Sequence, residues 1–163
     1  MTTASPRPAA VERTRLEVPA GVLAAAAAHG ECAYPEECCG LLLGRPLPGG
    51  SGSAVVRAVP ADNEHGEERR RRYTIGPETV LHADRAARAE GLEIVGYYHS
   101  HPDHAAAPSA FDREHAWPGV SYLIVPVAAR RAGAARSWRL AGDRGGFDEE
   151  AVAVIDDSRD SER

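Results

Sequence analysis

Residues 91–102, GLEIVGYYHSHP, decide how the rest of the chain is read. Leu92 to Tyr98 is apolar on both alternating sides, the pattern of a strand buried on both faces in the middle of a sheet. That strand runs straight into His99-Ser100-His101-Pro102. Alternate side chains of an extended chain share a face, so His99 and His101 project to the same side. Two imidazoles one residue apart form a two-point clamp for a metal ion. An isolated H-x-H pair fits two solvated or hydrogen-bonded histidines equally well, so the sequel matters.

Eleven residues beyond His101 stands Asp112. Ser109 reads as the N-cap of a helix through about Ala116, which puts Asp112 at its third position. There its charge also complements the helix dipole. The loop 102–108 is long enough to fold this first turn back over the histidines, completing a His2Asp set. Three protein ligands with an open fourth position is the catalytic zinc arrangement, whereas structural zinc is closed by four. Chemistry at such a centre also needs a proton-transfer group that is not itself a ligand.

Working outward, Leu16 to Val18 suits a short strand and Pro19 opens an Ala-rich helix ending near Gly30. Cys38 to Gly44, CCGLLLG, is a compact apolar run that reads as a buried strand. Arg45 to Ser53 reads as a flexible loop, Ala54 to Val59 as a strand and Ala61 to Glu68 as a loop. Arg71 to Ile75 is expected to be a strand. Pro77 and Glu78 open a helix to about Glu90 with Gly91 as its stop. Ser121 to Val127 and Ser137 to Ala141 read as strands, and Phe147 to Ile155 as a strand or a helix. The mixture lacks a strict βαβ repeat and implies an α/β (α+β mixed) domain over residues 15–155. Residues 1–14 form an expected disordered arm and 156–163 an acidic disordered tail.

The chain has 163 residues, enough for one domain with a real core. Its net charge is −5. From Asp148 onward there are 7 acidic residues and 2 arginines, which accounts for all of it, so the body is neutral. A neutral body argues against general nucleic-acid or anionic-membrane binding. All 19 basic residues are Arg, which reads as the codon bias of a GC-rich genome. No apolar run reaches the ~18 residues of a membrane span. Met1 to Pro8 lacks the apolar stretch of a secretory signal. Three cysteines, two of them adjacent, make no disulfide framework. The expectation is a cytoplasmic protein.

Taken together, Glu37-Cys38-Cys39-Gly40, His99-Ser100-His101-Pro102 and Pro108-Ser109-x-x-Asp112 resemble the JAMM (JAB/MPN) metalloprotease family. Its pattern is an upstream Glu, H-[ST]-H-P, seven residues to Ser and two more to Asp, and every part is present here. The likeness runs from about Leu16 to Asp148. It implies the MPN/JAMM fold, a deaminase-like central mixed β-sheet flanked by helices. It also implies that His99, His101 and Asp112 bind one Zn2+ per chain. Glu37, which its spacing alone does not single out, would be general base and acid. Ser109 would donate a hydrogen bond at the reaction centre, a role compatible with capping its helix.

The family cleaves amide or isopeptide bonds after the C-terminal Gly-Gly of ubiquitin-like proteins. This chain lacks room for large substrate-gripping insertions and resembles compact prokaryotic members that act on sulfur carriers. The resemblance therefore implies a ubiquitin-like sulfur-carrier partner, for example with release of cysteine in cysteine biosynthesis. The alternatives are general removal of such tags from protein lysines and a catalytically silent scaffold of the same fold. A homodimer is compatible with the sequence. A zinc deaminase would need P-C-x-x-C and H-x-E, and neither occurs. His104 reads as loop surface and His115 as rim. Cys38 and Cys39 read as small core residues, Trp117 and Trp138 as packing residues, and the Arg69–Arg72 run as a solvated edge.

Overall fold

The structure is a computed structural model and describes residues 13–157. The expected arm and tail, 1–14 and 156–163, lie almost wholly outside those residues. The described chain begins with strand β1 (Arg15–Pro19), and helix α1 (Ala20–Ala33) follows directly on Pro19. Next come β2 (Cys39–Pro46), a short turn of 3-10 helix over Pro48–Gly50, and β3 (Gly52–Ala61). Helix α2 (Pro77–Ala89) leads to β4 (Glu93–Pro102), and α3 (Ala110–His115) to β5 (Ser121–Ala128). The remainder is all strand: β6 (Arg131–Ala132), β7 (Arg136–Leu140) and β8 (Phe147–Ile155).

The sheet is mixed, as expected. Its order is β4-β2-β3-β1-β8-β7-β5, and β5 pairs back onto β4, so seven strands form a closed ring. Strand β1 runs parallel to β3 and β8, and β4 parallel to β5. The other pairings are antiparallel. Periodicity reports which residues are buried, not which strands meet, so this closure had no signal in the sequence.

Apolar alternation assigns the two faces of the sheet. Leu16, Val18, Leu42, Val55, Val95 and Leu123 pack in one cluster with Ala26 of α1. Leu43 and Leu92 pack instead with Ala87 of α2, joined by Val56, Val59 and Ile94. Leu41, Leu42 and Leu43 are fully buried. Each such side chain contributes roughly 1.5–3 kcal/mol relative to exposure.

Two glycines allow close approach near the site. A Cβ at Gly30 would lie 3.0 Å from Val127 Cγ2 and 3.2 Å from Ser100 Cβ, so α1 can settle on β4 and β5. A Cβ at Gly40 would overlap the Tyr98 ring. That ring is buried, and its hydroxyl lies 2.8 Å from His29 Nδ1 in α1.

One expected strand is not formed. Arg71 to Ile75 has strand-like residue types, yet the chain from 62 to 76 contains no helix or strand. Its backbone groups are engaged locally: Glu64 N–H donates to Thr74 O, and Arg71 and Arg72 N–H to Glu68 O. The Thr74 N–H and the Arg72 carbonyl both bond the Asn63 side chain. These local bonds take up the groups of Arg72 and Thr74 that a strand ladder would need. The loop expected over 45–53 is also shorter, because β2 and β3 reach into it. The ambiguous Phe147–Ile155 is strand.

Candidate active site

The histidines lie within β4 itself, not beyond its end, and strand alternation sorts the neighbours. Tyr98 and Ser100 face α1, whereas His99 and His101 face the other side. The paired strands β2 and β5 fix this end of β4 on both flanks, with His99 opposite Cys39 and Ile124. His99 is fully buried and His101 nearly so.

Asp112 arrives as the spacing predicts. Ser109 caps α3: its Oγ accepts from Asp112 N–H at 3.1 Å, and Ser109 N–H donates to Asp112 Oδ2 at 2.9 Å. This reciprocal capping box holds the carboxylate in one position. The same Oδ2 lies 3.2 Å from His99 Nε2 and 3.1 Å from His101 Nε2, and the two nitrogens are 3.1 Å apart. The three atoms form a nearly equilateral triangle. Tetrahedral zinc with bonds of about 2.0–2.1 Å would separate its ligand atoms by roughly 3.3 Å, so the trio fits such an ion.

Hydrogen bonding sets the chemistry of these donors. His101 Nδ1 is 2.8 Å from the Ala105 carbonyl, which can only accept. In the neutral ring the proton therefore sits on Nδ1 and leaves Nε2 with the lone pair a metal would use; in the protonated ring Nε2–H donates to Asp112. Asp112 Oδ1, Glu37 Oε2 and His99 Nδ1 are buried without a hydrogen-bond partner among the described residues. Clustered orphan atoms of this kind are the mark of a site built for a further group.

The charges respond to this setting. Burial by itself would raise the Asp112 carboxyl, but the two histidines and the Ser109 N–H hold it far below the usual range. Burial lowers His99. For His101 burial acts the same way, but the bonds to Asp112 and Ala105 outweigh it and raise the group.

Glu37 reaches the site from the segment just ahead of β2. Ser100 N–H donates to Cys38 O at 3.1 Å and Cys38 N–H to Ser100 Oγ at 2.8 Å, locking the strand entrance onto β4. Glu37 stands two residues ahead of the Cys39–His99 pair, and its carboxyl is close enough to His101 and Asp112 to feel their charges. Burial raises the Glu37 carboxyl to about 8; the His101 charge lowers it and that of Asp112 raises it. The consequence for stability has a definite sign. Glu37 titrates near 4.5 when unfolded and about 8 when folded, so folding resists its ionisation. The native state loses stability as pH rises through that window. In chelator-treated protein, Glu37→Gln should therefore melt with wild type near pH 4 and above it at pH 9. Equal melting temperatures at pH 9 would contradict the burial argument.

Tyr73 was missed in the sequence, where it fell in the expected strand. Its ring stacks on His99 with centroids 4.5 Å apart and 26° between planes. Beside Asp112 opens a groove of about 220 Å³, lined by Tyr73, Tyr97, Phe111, Trp117 and Tyr122. Trp117 is 69% exposed there, so it is not the packing residue expected. Trp138 does pack, its Nε1 donating to Ala106 O at 2.9 Å and bracing the loop before α3. His115 stacks on Phe111 at the rim, and His104 is exposed. Cys38 and Cys39 are buried.

No helix among the described residues is long and apolar enough to cross a membrane. A family model described as prokaryotic homologs of the JAB domain matches residues 19–141. The desampylase of Haloferax volcanii is 39% identical over 121 residues, covering 74% of this chain and 79% of that protein. A probable TtuB-protein conjugate cleaving protease of Thermus thermophilus is 35% identical over 117 residues, covering 72% and 74%. The solution structure of a protein from Salinibacter ruber superposes with a TM-score of 0.67 at 40% identity, covering 86% of this chain and 92% of that one. The chain belongs to the prokaryotic JAB-domain family and is a hydrolase.

Proposed function

We propose that this protein is a zinc-dependent peptidase. It cleaves the amide or isopeptide bond after the C-terminal Gly-Gly of a ubiquitin-like sulfur-carrier protein. The observation that carries the reading is the buried His99, His101 and Asp112 triangle, with Glu37 Oε2 buried without a partner beside it. The name of the Thermus thermophilus relative speaks of a protein conjugate, which favours a protein lysine as leaving group over free cysteine.

His99 Nε2, His101 Nε2 and Asp112 Oδ2 would hold the ion. When bound, zinc supplies Lewis acidity at the scissile carbonyl and a nucleophile at neutral pH. Glu37 takes a proton as the attack proceeds and returns it to the departing amine. Ser109 Oγ accepts from Asp112 N–H, which leaves its own hydroxyl proton free to donate to the developing oxyanion. The Asp112 capping box keeps that hydroxyl aimed.

The test uses a Gly-Gly-ended ubiquitin-like carrier joined to the lysine of a reporter, with a carrier–cysteine fusion beside it. Intact carrier ending at Gly-Gly should be released from the reporter by the zinc-loaded protein, and chelation should stop it. Mass spectrometry placing the cut elsewhere, or cleavage that survives chelation, would overturn the proposal.

A further inference from the structure

The loop between β3 and α2, residues 62–76, covers the site and is organised by one side chain. Asn63 uses every hydrogen-bonding position its amide has. Its Nδ2 donates to Glu37 O at 3.2 Å and to Arg72 O at 2.9 Å. Its Oδ1 accepts from His65 N–H at 3.1 Å and Thr74 N–H at 3.2 Å. Two carbonyls on one side and two N–H groups on the other leave the amide a single orientation.

These four bonds join three parts of the site. They close the loop on itself between 63–65 and 72–74, where Glu64 N–H also bonds Thr74 O at 2.9 Å. They reach the Glu37 carbonyl, while the Glu37 N–H donates to Arg69 O at 2.7 Å. Both backbone polar groups of Glu37 are thus held by this loop, and only Cys38 onward is held by β4. They also bracket Tyr73, whose ring lies on His99. A shift of the loop would move the Glu37 backbone and the Tyr73 ring together.

We propose that Asn63 is a positioning residue for the reaction, setting Glu37 and Tyr73 against the metal ligands through the 62–76 loop. The inference rests on the reading of Glu37 as the proton-transfer group. Displacing a reacting group by about 1 Å can lower a rate by roughly 100-fold while binding is little changed. An effect of that kind is expected here.

The experiment compares wild type, Asn63→Asp and Asn63→Ala, each zinc-loaded. Asn63→Asp keeps the shape and the two bonds to N–H groups but faces the Glu37 and Arg72 carbonyls with an acceptor. Asn63→Ala removes all four bonds without that repulsion and serves if Asn63→Asp does not fold. Two readings are taken. Trypsin reports loop order directly at Arg69 to Arg72, with cleavage at Arg85 and Arg88 of α2 as internal reference. Steady-state kinetics on the carrier–reporter conjugate separate kcat from KM.

Expected results are faster cleavage confined to Arg69–Arg72, zinc still at about one equivalent, and kcat down roughly 10- to 100-fold with KM within about threefold. A tryptic pattern like wild type would overturn the proposal. So would a raised KM with kcat intact, or a loss of rate matched by an equal loss of folded protein. If wild type itself leaves every carrier conjugate uncut, the functional reading fails. The tryptic comparison still decides whether Asn63 holds the loop.

Discussion

Glu37→Gln should bind zinc at about one equivalent per chain and turn over roughly 10²–10⁴ times more slowly, the usual contribution of a positioned acid–base group. Glutamine fills the same space ahead of β2 but can neither accept nor return the proton. The His99, His101 and Asp112 triangle is untouched by the change, because its atoms come from β4 and α3. The Cys38–Ser100 bonds that hold the strand entrance are backbone and serine bonds and remain. Metal analysis and single-turnover kinetics on the carrier–reporter conjugate test the two halves separately. Zinc loss in Glu37→Gln would make Glu37 a ligand. Full turnover with zinc retained would remove it from the mechanism.

Asp112→Asn should produce the opposite pattern, zinc well below one equivalent and turnover at background. The asparagine oxygen can still accept from Ser109 N–H, so the cap on α3 is largely kept. Losing an N-terminal cap altogether costs about 1 kcal/mol, too little to unfold a domain of this size. What disappears is the anion that both imidazole nitrogens approach. Removing a group that only orients a ligand commonly costs 10–100-fold in metal affinity, and removing the ligand itself should exceed that. Zinc content after dialysis, read together with a cooperative thermal transition that shows the chelated variant is still folded, checks the claim. Stoichiometric zinc in Asp112→Asn would show that the triangle is not the binding set.

Most of the site could be read along the chain because its parts are local. His99 and His101 follow from strand alternation, and Asp112 from a capping signature three residues after Ser109. Glu37 is different. It lies 62 residues before His99, and only the antiparallel pairing of β2 with β4 brings it to the histidines. Its place was legible through resemblance to a family and not through spacing. Tyr73 and Asn63 were not legible at all. Tyr73 fell in a tract with strand-forming residue types and Asn63 in an expected loop, and the actual course of both depends on one amide satisfying four backbone groups at once.

The sequence by itself therefore determined most of the elements, the buried faces and the convergence of His99, His101 and Asp112. Each depends on interactions spanning a few residues, where φ/ψ preference, period and capping are strong. Only the tertiary structure decided the closure of the sheet, the proximity of Glu37 and the fold of the 62–76 loop that sets Tyr73 on His99. Those depend on which distant backbone groups find each other. That choice is made by burial and by the need to satisfy every buried donor and acceptor, summed over the whole chain.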